Sequence, residues 1–183
     1  QRPGGRPNVE ILPVDANQPS LLKSPVSSLC RECHAFDEKN AISSHQPFVR
    51  NDCTVCHAQH QSDNPKGLIK NQAELCFTCH KPNDPPFDKP AKHTAVKDGG
   101  NCLVCHSPHL SPAKNLLKER NQATLCFQCH SETKISGKHT HTPVKNGNCS
   151  ACHNPHSNEY ATGTSKLGSE NCLTCHDRWF SSG

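Results

Sequence analysis

No apolar run in this chain approaches the 18 residues of a membrane span, and the alternation that marks a strand is barely indicated. The pattern predicts short helices and little else. Asn71, Asn121 and Ser169 are placed to cap helices that run into a following cysteine pair, and Ser24 with Pro25 suggests the same start before Cys30. Fifteen prolines and ten glycines break the remainder into turns and extended segments. Residues 1–28, with Pro3, Pro7, Pro13, Pro19 and Pro25, are expected to form an extended arm, packed on its own subunit or on another. The tail, residues 177–183, is expected to cover an end of the molecule or dock a neighbour. The predicted fold is therefore one of few secondary structures, with short α-helices, long loops and essentially no sheet.

Such a chain lacks the means to build an ordinary core. Hydrophobic residues make up 32 % of it, fourteen cysteines included, and aromatics are limited to six Phe, one Trp and one Tyr. With a mean hydropathy of −0.77 the polypeptide alone reads as close to disordered. Apolar surface must come from elsewhere.

The cysteines say from where. All fourteen fall in seven Cys-x-x-Cys-His motifs: Cys30-Cys33-His34, Cys53-Cys56-His57, Cys76-Cys79-His80, Cys102-Cys105-His106, Cys126-Cys129-His130, Cys149-Cys152-His153 and Cys172-Cys175-His176. On a helical turn, positions i, i+3 and i+4 share a face. Two thiols can then form thioethers with a haem edge while the adjacent imidazole reaches its iron. Zinc knuckles and disulfide frameworks also use paired cysteines, but neither needs a histidine after the second. Histidine is 14 of 183 residues, so its presence there seven times by chance has a probability of about one in 10^8. Seven haem c groups are predicted, roughly one per 26 residues, and they supply most of the buried apolar surface.

Cofactor also reverses the charge. The formal +4 and a pI near 8.4 would suit an acidic partner, but two propionates per haem bring the total to about −3 with seven ferric haems and about −10 with seven ferrous ones. Lys and Arg read as propionate partners and solvated surface, with no nucleic-acid signal. The chain begins at Gln1 and contains no Met. The expectation is a secreted protein, periplasmic or extracellular, whose signal peptide has been removed. Without Met, axial thioether ligation, which raises haem potential, is not on offer.

First-cysteine positions step by 23 to 26 residues, and a deeper period spans two motifs. Residues 71–80 match residues 121–130 at eight of ten positions. Between such segments lies another type of motif with a histidine after it, as in Asn101-Cys-Leu-Val-Cys-His-Ser-Pro-His109, and another upstream, as in His93-Thr-Ala-Val. The expected organisation is the arm, then a heptahaem domain over 29–183. It divides into a half-repeat at 29–44, repeats at 45–92, 93–138 and 139–176, and the tail. Stacked repeats imply an elongated, haem-packed body.

In these residues the chain resembles the doubled-CxxCH family of multihaem c-type cytochromes, over 45–80, 93–130 and 141–176. Gln59 replaces a Pro and Asn171 a Leu of the pattern. The resemblance implies covalent haem, iron held by two histidines, and electron transfer outside the cytoplasm.

Seven histidines stand outside the motifs: His45, His60, His93, His109, His139, His141 and His156. Their number equals that of the sixth ligands required. Six sit at repeat-equivalent positions; His139 does not. Three extended residues span at most about 11 Å, so His60, His109 and His156 cannot readily wrap round the ring bound three residues earlier and are expected to serve neighbouring haems. The upstream histidines have enough chain to reach their own following haem. Saturated irons leave no place for substrate, so an enzyme is not expected; an oxyanion reductase would need a vacant iron. The expected function is electron transfer along seven bis-histidine haems. The protein would be a soluble periplasmic carrier or a subunit of an extracellular filament, with redox proteins or identical head-to-tail subunits as partners.

Overall fold

The computed structural model describes residues 22–97 and 100–177. Most of the Pro-rich arm, and the tail beyond Asp177, lie outside them. Within these limits the chain is loops punctuated by single helical turns. α1 is Val26–Leu29, α2 Gln46–Val49, α3 Gln72–Cys76, α4 Gln122–Cys126, α5 Thr142–Lys145 and α6 Ser169–His176. The longest of them, α6, has eight residues.

Helix starts follow the cap chemistry in two of four places. The Asn71 side chain accepts from Glu74 N–H at 3.0 Å, and Asn121 from Ala123 N–H at 2.8 Å, so both orphan helix ends are satisfied. Ser24 instead donates to the Glu32 carboxylate, and Pro25 occupies the α1 cap. Ser169 is the first residue of α6, with Gly168 at φ +49° before it.

Sheet is minimal but not idle. β1 (Ser43–Ser44) pairs antiparallel with β3 (Leu110–Ser111), and β2 (Ala91–Lys92) with β4 (Ser157–Asn158). Each two-residue ladder joins the segment just before an upstream histidine to the segment just after a downstream histidine of the next repeat. Backbone bonds extend both ladders to the histidines themselves, from His45 N–H to His109 C=O (2.9 Å) and from His93 N–H to His156 C=O (3.1 Å). Residues this short carry little strand propensity, so the pairing is set by tertiary neighbours.

The interior between repeats is polar. Among the described residues only Ala113 and Leu125 are buried hydrophobics, beside buried Ser111, Ser157 and Asn158. Ser111 Oγ accepts from Ala113 N–H (2.9 Å) and donates to the Leu117 carbonyl, while Ser157 Oγ accepts from Lys89 N–H (3.1 Å) and donates to Pro86 C=O (2.5 Å). Their partners make these hydroxyls tolerable in the interior. An apolar nucleus of two side chains cannot offset the ordering entropy of such a chain, as the composition implied.

Candidate haem sites

Every Cys-x-x-Cys-His motif takes one helical turn. In six of them the histidine N–H donates to the carbonyl of the first cysteine at 2.9 to 3.1 Å, and the seventh lies inside α6. Both thiols and the imidazole therefore share a face, as thioether attachment with proximal ligation requires.

Two kinds of motif are distinguishable by their approach. The α3 and α4 helices lead straight into Cys76 and Cys126, and α6 contains Cys172. In contrast, Cys53, Cys102 and Cys149 open short 3₁₀ turns. Here the proximal ring is held from behind: Nδ1 of His57, His106 and His153 donates to the carbonyls of Lys66 (3.0 Å), Asn115 (2.9 Å) and Gly163 (3.1 Å). All three carbonyl residues have left-handed backbone, with φ of 61°, 57° and 71°. That conformation costs a non-glycine residue of order 1 kcal/mol, and it aims the carbonyl at the ring. Fixing the proton on Nδ1 leaves Nε2 free for a metal. Asn115 and Gly163 are residue types that tolerate such a turn; the carbonyl's target was not readable beforehand.

Opposite five of the seven motif histidines stands a second imidazole. Ring centres are 6.2 Å apart for His45 and His80, 6.0 Å for His57 and His109, 6.0 Å for His93 and His130, 5.9 Å for His106 and His156, and 6.1 Å for His141 and His176. Among the described residues no hydrogen bond joins the rings of any pair. An iron between two axial imidazoles holds their centres about 6 Å apart, taking a metal–nitrogen bond of about 2 Å. The residues present thus fit haem iron with bis-histidine coordination at five positions.

The pairing follows a rule. Each upstream histidine faces the second motif of its own repeat, passing over the following motif that chain length alone would have allowed. The two downstream histidines that find a ring, His109 and His156, face the first motif of the preceding repeat. The β1–β3 and β2–β4 ladders cause both results, since each carries an upstream and a downstream histidine side by side. His45 Nδ1 also donates to Pro108 C=O at 3.1 Å, turning Nε2 toward His80. His60 and His139, and the motif histidines His34 and His153, enter no ring pair among the described residues.

Packing keeps the paired distal rings neutral. His109 is half-buried against Phe36 and Phe48, each with ring centres 5.4 Å away, and Arg31 lies 4.4 Å over Phe48. His156 packs on Phe87 at 5.0 Å. Burial lowers the pKa of His109 and of His156, with the facing motif imidazole adding to it, and lowers His45 and His93 in the same way. The neutral form so favoured is the one that binds metal.

Successive motifs also touch. Cys30 and Cys53, Cys76 and Cys102, and Cys126 and Cys149 lie within side-chain hydrogen-bonding contact. Hydrogen bonding to Cys102 pushes the Cys76 thiol up and holds Cys102 down to about 6, while burial, with Cys149 alongside, pushes Cys126 up to about 11. Cys56 is near Cys79, and Cys105 near Cys129, close enough to raise the former of each pair. Motifs one to six therefore form an unbroken series in chain order.

Three segments, 45–85, 93–135 and 141–179, match the family model described as "Doubled CXXCH motif". Together they span about two thirds of the chain. No curated protein matches it significantly.

Proposed function

The chain belongs to the doubled-CXXCH family of multihaem c-type cytochromes, and from that premise we propose that it conducts electrons along seven covalently bound haems as a repeating subunit of an extracellular filament. Haem c supplies the one-electron couple. The polypeptide anchors, orients and shields. In this reading the thioethers come from the fourteen motif cysteines and the proximal ligands from the seven motif histidines. His45, His109, His93, His156 and His141 are the distal ligands of the irons at His80, His57, His130, His106 and His176.

The observation that carries the reading is the five imidazole pairs with ring centres 5.9 to 6.2 Å apart. Two imidazoles per iron leave no coordination position for a substrate, which favours electron transfer over catalysis at a vacant iron. The touching cysteines support conduction, because thioethers on adjacent thiols bring the edges of two macrocycles together. Among the described residues no helix is long and apolar enough to cross a membrane, and c-type haem is attached outside the cytoplasm.

Filament and periplasmic carrier differ at the chain ends. A filament needs a head-to-tail contact that does not close on itself, and the unpaired rings at both ends favour it. Two measurements test the proposal. Electron microscopy of native material should show fibres, and dispersed particles would return the protein to the carrier reading. Assembled, reduced protein should take up no carbon monoxide; uptake would indicate a vacant iron and reopen an enzymatic role.

A further inference from the structure

We propose that adjoining copies exchange two imidazoles: His60 of one copy binds the iron at His153 of the copy before it, whose His139 in return binds the iron at His34. This rests on the end-to-end polymer proposed above and specifies its joint.

The first exchange extends the rule seen twice inside the chain. His109 faces His57 and His156 faces His106, each one repeat back. One repeat back from His60 the chain has no first-type motif. His153 is the one first-type motif histidine without a facing ring, yet its Nδ1 donates to Gly163 C=O just as His57 and His106 are held by their loops. It is oriented for a ligand its own chain does not provide. Exposure agrees. His109 and His156 are half-buried against phenylalanines, whereas His60 is exposed. Six residues before His93, Phe87 supports His156; six before His141, Ile135 is 50 % exposed with no ring to support. The ladder is open in the same place, for His141 lacks the downstream segment that β3 and β4 give to His45 and His93.

The second exchange explains a residue the repeats do not. Ser43 and Ala91 are the counterparts of His139, two residues before each upstream histidine, and neither can bind iron. Cys30 stands beside Cys53 as Cys76 stands beside Cys102. At a joint, therefore, the iron at His34 takes the place of a repeat's second iron, but the imidazole that would serve it, His141, is already opposite His176. Another histidine is needed there. His139 is exposed and lines a cleft of about 910 Å³ together with Phe127, His141 and Val144.

The test uses the full haem-loaded chain, wild type and the variants His60→Ala and His139→Ala, with carbon monoxide as the probe of the reduced protein. Wild-type fibres are expected to bind none. Each variant alone should disperse and bind about two CO per chain, while its other irons stay low-spin, which shows that the fold survives. Mixed together, the variants have one intact joint between the tail of His60→Ala and the head of His139→Ala. Sedimentation should then show dimers, and uptake should fall by about half. Variants that remain fibrous and bind no CO would overturn the exchange and leave the polymer standing. Dispersed wild type would overturn the polymer reading as well, whether it binds no CO, with the ligands closing within one chain, or binds about two.

Discussion

The middle repeat, 93–138, and the outward ends of its neighbours are built from the same sequence units, yet only the middle is complete on both sides. There, His109 reaches back to His57, His93 reaches forward to His130, and β2 and β3 are each paired. At the ends, His60 is exposed and the segment before His141 is unpaired. The contrast teaches that iron coordination here belongs to the junction between repeats and not to the repeat. A unit carries its own thioether cysteines and proximal histidines, but it borrows distal imidazoles from a neighbour, in the way solenoid units borrow a core.

Removing an interior ligand should have the largest effect. His109→Ala leaves the iron at His57 with one imidazole, and the expected result is about one CO bound per chain in assembled, reduced protein, with partial loss of the low-spin spectrum. A spectrum identical to wild type would remove His109 from the ligand set and break the pairing rule. Next is backbone approach between repeats. Gly147 has φ +73°, and a Cβ there would meet the Asn121 side-chain oxygen at 2.7 Å, whereas Gly168, near the chain end, has φ +49° with nothing within 4 Å. Both alanine variants incur left-handed strain of about 1–2 kcal/mol. Gly147→Ala adds the clash, so its denaturation midpoint should fall further than that of Gly168→Ala; equal shifts would mean that the α4 contact is unimportant.

Buried hydroxyls sharpen the comparison. Ser111→Ala leaves the Ala113 N–H and Leu117 C=O without their partner in a site 1 % exposed, at a cost of about 2 kcal/mol. Its counterpart Ser62, half-exposed before the first interior junction, donates to Leu68 C=O, where water can substitute. Ser62→Ala should cost under about 1 kcal/mol in dispersed protein. Urea titrations of the two variants distinguish them, and a reversed order would contradict the assignment of interior and end. The smallest change is the loss of a helix cap. Asn121→Ala should lower stability by about 1 kcal/mol, and Asn121→Asp should restore most of it.

Local chemistry was legible in the sequence, and partnership was not. The single helical turn across each motif follows from Cys-x-x-Cys-His spacing, and Asn71 and Asn121 cap as their side chains dictate. Ser24 and Ser169 do not, because a proline and a glycine occupy those helix entries. Which histidine faces which motif was beyond reach. His45 has enough chain to reach the motif that follows it, and only the pairing of Ser43–Ser44 with Leu110–Ser111 sends it to His80. Four two-residue strands leave no periodic trace in a sequence. The carbonyls of Lys66, Asn115 and Gly163 were hidden for a similar reason: a left-handed residue can be suspected from Asn or Gly, but what its carbonyl meets depends on the folded loop.

An electron cryo-microscopy map of the haem-loaded protein that resolves the iron ligands tests the pairing rule most directly. The account predicts His109 on the iron of Cys53 and Cys56, His45 on that of Cys76 and Cys79, His156 on that of Cys102 and Cys105, His93 on that of Cys126 and Cys129, and His141 on that of Cys172 and Cys175. Any of these five imidazoles on another iron, or a motif iron whose opposite face meets solvent in the assembled protein, would contradict it.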